Sequence, residues 1–442
     1  MVEIHAPPSE PRAGETAPSG QPRGASGYAA AEPRFLPEFR CYRPRAGHPD
    51  WPRLQAEALE IAKRLRPSLE PPQTGWRERR RRLRSYATAA RNFAVNRRRA
   101  RAGREDLLPL YFIWTLLRTC NFHCDYCDDH RGRKYPDLPN EGVLSGEQAL
   151  RLLRIMRSAT PSVYFSGGEP MLRTDLPEIT RAARDLDYYP IIINTNASFV
   201  DRLLVKQNWK DWLANTDIVV VSIDALDLGV LERIWAYPRP QDALRNLLLL
   251  RALADEMRVK LIVNTVVQPG QSEHARDVLD FANDLGFWFT PVPRNVGAHI
   301  HPALAADRGY RELAEVILER KRAGHRITGS ERLNRRLLRS ETLRCRNTLK
   351  PHVDYDGRLF WPCKSSANLE PERIQVLDFE DVESLYAYAA RRVSPSGFHG
   401  PARNQCGGDC NWAQNYTTDT YAHGLTHPLS LLGEIAEFIR AR

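Results

Sequence analysis

From about residue 106 onward, short apolar runs rich in β-branched and aromatic residues alternate with longer stretches whose apolar positions recur at helical spacing. Tyr111–Leu117, Ser162–Phe165, Pro190–Asn194, Ile218–Ile223, Lys260–Val267 and Phe287–Val292 each read as a strand. The intervening 3.6-residue pattern predicts helices over Gly146–Arg157, Asp175–Leu186, Gln241–Glu256 and Ser272–Leu285. Six strand–helix repeats imply a parallel sheet of the α/β class. Right-handed crossovers would roll it into a partial (β/α)6 TIM-like barrel, with functional residues at the C-terminal strand ends. Short apolar runs do not disclose pairing, so strand order stays open.

Before that repeat the pattern is different. Residues 1–34 are rich in Pro, Gly, Ala, Ser and Glu and poor in large apolar side chains, a composition expected to remain disordered. Asp50, Pro52 and the stripe Leu54, Ala58, Ile61 and Leu65 predict a capped helix stopped by Pro67. After Pro71, Pro72 and Gly75 comes a second helical stripe of Leu83, Tyr86, Ala87, Ala90, Phe93 and Ala94. Residues 35–105 thus form a helical, Arg-rich extension, followed by the barrel over 106–310 and a helical linker over 311–344.

Charge changes the picture only locally. The formal net charge is +10, but Arg77–Arg104 contains twelve Arg and one Glu, so that segment carries +11 and the remainder about −1. An apolar stripe between guanidinium groups suits an anionic surface, whether membrane lipid, nucleic acid or an acidic partner. The other reading is a solvated helix packed on the domain behind it.

At 442 residues the chain has room for more than one domain, and its eight cysteines are too few for a disulfide-stapled secreted fold. The N-terminus lacks the basic start and apolar stretch of an export signal, and no apolar run approaches the ~20 residues of a membrane span. The cytosol is the expected compartment, with peripheral membrane attachment through Arg77–Arg104 as its variant. Cys41 stands alone as an ordinary thiol, and the other seven cysteines fall into two clusters.

The first cluster, Cys120, Cys124 and Cys127, lies in the eight residues Cys-Asn-Phe-His-Cys-Asp-Tyr-Cys just past the first strand. Three closely spaced thiolates hold a soft metal centre at three points and leave a fourth position open for chemistry. A structural zinc site is the competing reading, but zinc ordinarily takes four ligands. Directly after the second strand stands Ser166-Gly167-Gly168-Glu169-Pro170. Adjacent glycines there let backbone groups approach a ligand closely.

Cys-x3-Cys-x-aromatic-Cys after strand one, with Gly-Gly-Glu-Pro after strand two, resembles the radical S-adenosylmethionine (radical SAM) superfamily over roughly residues 106–310. The resemblance implies that Cys120, Cys124 and Cys127 bind three irons of a catalytic [4Fe–4S] cluster while the methionyl amine and carboxylate of S-adenosylmethionine chelate the fourth. It places Tyr126 near the adenine and the Gly167, Gly168 and Glu169 segment at the methionyl amine. Asn194, Ser222, Asp224 and Asn264 stand where later strands help to hold the cofactor, although polar residues at strand ends also serve as turn formers. The implied chemistry is electron transfer from a low-potential cluster into the sulfonium, which yields methionine and a 5′-deoxyadenosyl radical. A low-potential electron donor of flavodoxin or ferredoxin type is implied as a partner.

The second cluster is Cys345, Cys363, Cys406 and Cys410, within a C-terminal region over 345–442 that ends in a helix. Between the first two, His352–Trp361 alternates apolar residues around Asp356-Gly357, a hairpin signal that would bring Cys345 and Cys363 together. This region resembles the SPASM and Twitch auxiliary-cluster extensions. The match is partial, because a full SPASM domain has seven cysteines and the step from Gly357 to Cys363 is one residue longer than usual. Four thiolates saturate one auxiliary [4Fe–4S] cluster, and they equally satisfy tetrahedral zinc.

Other residues decide less. Asp128, Asp129 and His130 read as cavity residues or turn caps; Trp412, Tyr416 and Tyr421 as an entrance lining or as packing around a metal loop; His399, His423 and His427 as proton carriers or surface residues. The functional expectation is a radical SAM enzyme that abstracts hydrogen from a ribosomal peptide or protein. The alternatives are a lipid or other membrane-associated or small-molecule substrate and, more remotely, a non-catalytic zinc protein binding nucleic acid.

Overall fold

In the computed structural model the described residues are 43–104, 106–127, 135–137, 140–343, 346–364, 372–393, 410–430 and 433. The expectations for residues 1–34, Cys41, Asp128, Asp129, His130, Cys345, His399, Cys406 and the terminal helix lie outside them. Those described belong to one unit, Pro37–Arg442.

Six parallel strands run side by side in sequence order: β1 (Tyr111–Thr115), β2 (Ser162–Ser166), β3 (Ile191–Thr195), β4 (Ile218–Ser222), β5 (Lys260–Val267) and β6 (Trp288–Pro293). Each predicted strand is present, with ends displaced by up to two residues. The intervening helices are α3 (Gly146–Arg157), α4 (Leu176–Asp185), the short α5 (Val200–Leu203), α6 (Leu228–Trp235), α7 (Pro240–Met257) and α8 (Ser272–Asp284).

Burial follows the period of two. Phe112 and Trp114, Val163 and Phe165, Ile191 and Ile193, Val219 and Val221, and Val263 are fully buried on the sheet face that meets the helices. The alternate residues Ile113, Tyr164, Ile192, Asn194, Ile262 and Asn264 are only partly buried, because they line the concave face of an open barrel. Helix α1 (Trp51–Leu65) begins where Asp50 accepts the Arg53 amide at 3.2 Å, as the cap pattern predicts, and packs against α7.

The sheet does not stop at β1. Strand β9 (His352–Val353) pairs parallel to β1, and β10 (Arg358–Trp361) and β11 (Glu372–Gln375) continue antiparallel, giving nine strands in the order β11-β10-β9-β1-β2-β3-β4-β5-β6. The Asp-Gly hairpin is therefore real, with Gly357 at φ +78° and its amide donating to the Asp354 carbonyl at 3.0 Å. Its fusion to the barrel sheet was invisible to local pattern. Between β6 and β9 lie the small hairpin β7 (Asn295–Val296) and β8 (His299–Ile300), then α9 (Pro302–Ala306), α10 (Arg308–Arg322) and α11 (Glu331–Leu338). Helices α12 (Val382–Arg392) and α13 (Tyr416–Thr426) follow.

Helix α2 (Trp76–Arg101) differs from expectation in which face it buries. Its inward stripe is polar: Glu78, Arg81, Ser85, Asn92 and Asn96. These side chains meet carbonyls that precede the strands. Arg81 donates to Tyr188, Ser85 to Pro161 and Asp187, Asn92 to Pro109 and Ala159, and Asn96 to Leu108. Backbone carbonyls at the N-terminal strand ends need donors, so a polar stripe is favoured over an apolar one. Leu83 and Tyr86 are left 58% and 54% exposed.

Candidate active site at the C-terminal strand ends

The segment Cys120–Cys127 leaves β1 and crosses toward the far strands. His123 and Asp125 donate their amides to the carbonyls of Trp235 and Ile234 at the end of α6, at 2.8 and 3.0 Å. Phe122 stacks on Trp235 and lies against Tyr237, with centroids 4.9 and 4.5 Å apart. Asp125 receives the Gln268 amide at 3.3 Å and pairs with Arg294 at 3.6 Å, beyond β5 and β6. The loop is fastened at both sides of the barrel mouth.

Cys120, Cys124 and Cys127 are all partly buried, and Cys127 lies near enough to raise both of its neighbours. Burial pushes the Cys120 thiol up to about 12, with Glu169 and Cys127 adding to the rise. Burial and then Cys127 hold the Cys124 thiol well above the ordinary cysteine range. The Cys120 and Cys124 thiols disfavour ionisation and need a cationic centre to become thiolates, which is the condition a metal cluster fulfils. Among the described residues no group of three or more His, Cys, Asp or Glu is gathered around a single-ion position. Three thiols in one eight-residue loop suit three irons of a cubane and leave its fourth iron open.

Gly167 and Gly168 lie against the backbone that leaves β1. A Cβ on Gly167, whose φ is +145°, would stand 2.4 Å from the Leu117 carbonyl oxygen, and one on Gly168 would stand 2.1 Å from that of Thr119. The Gly168 and Glu169 amides donate to Leu117 and Thr119 at 2.8 and 2.9 Å. The glycines thus bring two backbones together beneath the cysteine loop. Glu169 is buried and turned inward, its carboxylate accepting from the Met171 amide, the Thr195 hydroxyl and the Asn196 amide at 3.0, 2.7 and 2.7 Å. Burial raises it to about 7 although those three donors pull the other way.

Asp224, two residues past β4, is buried and accepts from the Tyr126 hydroxyl, the Trp235 indole and the Val266 amide at 2.6, 2.8 and 2.9 Å. Tyr126 and Asp224, both expected to face the cofactor, are brought together. Burial raises both groups above their ordinary ranges. Asn194, Ser222 and Asn264 share the concave face through the pairings Asn194–Val220 and Ser222–Asn264. The Asn194 side-chain carbonyl is buried there with no hydrogen-bond partner among the described residues, an acceptor open to a donor.

Sequence reasoning missed Asn196, Asn121 and Ser198. The Asn196 side-chain amide donates to Asn121 at 2.9 Å and approaches the Cys120 sulfur at 3.9 Å, while Asn121 donates to Ser198 at 2.9 Å. The signal was Asn-Ala-Ser directly after the third strand, with Ala197 at φ +59° marking a forced turn. Of the second cysteine set, Cys363 and Cys410 are buried. The Cys410 sulfur accepts the Trp412 amide at 3.4 Å, and Trp412 lies against His352 with centroids 5.5 Å apart. A cavity of about 650 Å³ lined by Leu117, Thr119, Asn140, Ser145, Arg173 and Asp175 lies beside the root of the cysteine loop and contains none of the expected site residues.

Comparison with known proteins agrees with this fold. Residues 114–282 match the family model described as Radical SAM superfamily. Among solved structures, Streptococcus suis SuiB bound to S-adenosylmethionine is 17% identical, with a TM-score of 0.50 over 65% of this chain and 68% of that one. Streptococcus suis SuiB bound to precursor peptide SuiA is 15% identical, with a TM-score of 0.50 over 70% of this chain and 71% of that one. Residues 114–282 therefore form a radical SAM domain, and the chain that carries it is an S-adenosylmethionine-dependent enzyme.

Proposed function

We propose that this enzyme reductively cleaves S-adenosylmethionine and abstracts hydrogen from a ribosomal peptide or protein. The observation that carries the reading is the placing of the cysteine loop at the C-terminal strand ends, where Tyr126 bonds Asp224 after β4 and Asn196 after β3 approaches the Cys120 sulfur. In the proposal the three thiols hold the catalytic [4Fe–4S] cluster and the open corner faces the concave side bearing Asn194, Ser222 and Asn264. When bound, the cluster supplies the electron that breaks a C–S bond of S-adenosylmethionine, giving methionine and a 5′-deoxyadenosyl radical.

The chain's own residues do the positioning. Asp224 holds Tyr126 at the mouth, Glu169 organises the turns after β2 and β3, and Asn196 lies against Cys120. Asn194 supplies a buried acceptor to the cofactor, with Ser222 and Asn264 beside it. A deep floor keeps a reactive carbon radical from solvent, and no general base is needed to begin the reaction. An auxiliary [4Fe–4S] cluster on Cys345, Cys363, Cys406 and Cys410 belongs to the same proposal, as does a low-potential flavodoxin- or ferredoxin-type donor.

A peptide substrate is favoured by the similarity to SuiB, which has been solved with its precursor peptide. The lipid-substrate reading rested on the basic stripe, and that stripe lies across the N-terminal strand ends, away from the cysteine loop. The test is anaerobic incubation of reduced protein with S-adenosylmethionine, followed by assay of 5′-deoxyadenosine. Slow product from the parent and none from Cys124→Ala is the expected result, with about eight irons per chain if two cubanes are held. Equal turnover by both proteins, or zinc without iron, would refute it.

A further inference from the structure

The side of α2 that faces away from the barrel is the largest feature the catalytic reading leaves unused. Seven large hydrophobic residues are exposed among the described residues, and three of them, Trp76 (70%), Leu83 (58%) and Tyr86 (54%), lie on this one helix. At 100° per residue, Trp76, Leu83, Ala87, Ala90 and Ala94 form a narrow outward strip opposite the buried Glu78, Arg81, Ser85, Asn92 and Asn96. Tyr86 and Arg79 flank the strip on one side, and Arg80 and Arg98 flank it on the other.

The guanidinium groups divide by face. Arg81 and Arg82 are paired with Glu78, Arg84 with Asp187, Arg91 with Glu383, and Arg99 and Arg104 with Asp106. Arg77, Arg79, Arg80, Arg98 and Arg101 are exposed and have no acidic partner among the described residues. The single Glu of the helix is turned inward, so the outward side carries positive charge without compensation.

We infer that the outward face of α2 docks on an anionic lipid bilayer. A helix of 26 residues is roughly 39 Å long and presents its strip along one side. Unpaired arginines on both sides of an apolar strip match phosphate headgroups surrounding a hydrocarbon boundary. Trp and Tyr suit that boundary because each joins an apolar ring to a polar atom. A nucleic acid would take the guanidinium groups but gain little from Leu83 and the alanines. Docking in this orientation leaves the strand ends that bear Cys120–Cys127 pointing away from the bilayer, open to a substrate in solution.

The experiment uses the full-length protein, purified anaerobically with its clusters. It is mixed with vesicles of phosphatidylcholine and phosphatidylglycerol, and separately with pure phosphatidylcholine vesicles, then sedimented. Binding is expected only to the anionic vesicles and should fall steeply as salt is raised to about 0.5 M, where charge interactions are screened within a few Å. Two exposed-site variants separate the contributions: Arg79→Glu with Arg80→Glu and Arg98→Glu, and Trp76→Ser with Leu83→Ser. Each set is expected to weaken binding about tenfold or more with the thermal midpoint unchanged. No binding to anionic vesicles overturns the inference. So does binding that survives both sets, or charge-only binding that the serine pair leaves intact and that single-stranded RNA shares. The assay reads partition and not turnover, so its failure is distinct from failure of the catalytic reading.

Discussion

The Tyr126 hydroxyl donates to Asp224 across 2.6 Å, joining the cysteine loop after β1 to the segment after β4 on the other side of the mouth. Asp224 also holds the Trp235 indole and the Val266 amide. Asp224→Asn turns one acceptor oxygen into a donor that faces the indole N–H. A loss of about 1–3 kcal/mol in urea unfolding is expected. Iron retained after anaerobic reconstitution should drop with it. Full stability with full iron would remove Asp224 from the support of the loop.

Gly168→Ala tests the backbone contact beneath the triad. Its Cβ would meet the Thr119 oxygen at 2.1 Å, whereas the nearest atom to a Cβ at Gly146 is 3.5 Å away. The Gly168 variant is expected to lose most of its iron, and Gly146→Ala to retain it. Iron and sulfide analysis of the two proteins decides the matter.

Asn194→Ala removes a buried acceptor that has no hydrogen-bond partner among the described residues. Folding should therefore change by less than about 1 kcal/mol, since the acceptor bonds to no described residue. Affinity for S-adenosylmethionine should weaken several-fold, measured by equilibrium binding to the reconstituted protein. Unchanged affinity would exclude Asn194 from the cofactor site.

Glu78 supplies the pH dependence. Burial would raise its carboxyl, but Arg81, Arg82 and Arg184 outweigh that and hold it below the usual glutamate range. A depressed carboxyl contributes stability that is present above its unfolded value of about 4.3 and lost as pH falls through the lower folded value. Glu78→Gln takes the carboxylate from buried Arg184 while Arg81 keeps Asp217, so a loss of roughly 1–3 kcal/mol is expected at pH 7. The gap from the parent should narrow in acid, as followed by denaturant unfolding across pH.

Much of the barrel was legible because its strands are short β-branched and aromatic runs with a period of two, and the cysteine loop and Gly-Gly-Glu-Pro segment announce themselves by spacing. The buried face of α2 was not. Leu83 and Tyr86 follow the rule for a core stripe, yet Asn92 and Asn96 win the interior because strand-end carbonyls demand donors. Asn121, Asn196 and Ser198 were missed for a related reason. Short polar residues after strands are ordinary turn formers until the fold sets them beside a thiol. The attachment of β9 to β1 spans more than two hundred residues of chain, a distance over which local periodicity carries no information.

That attachment has a mechanical outcome. Asp354, fully buried in the hairpin turn, grips Arg118 at 2.6 Å, two residues before Cys120, and holds Arg373 of β11 at 2.9 Å. The launching point of the thiol loop is thereby flanked by sheet on both sides, and the rim of the unfinished barrel passes to β11. Any displacement of the C-terminal hairpin, by an occupant of its cysteines or by a protein docking there, would reach the ground on which the reactive centre stands through the Asp354–Arg118 ion pair and the β9–β1 pairing.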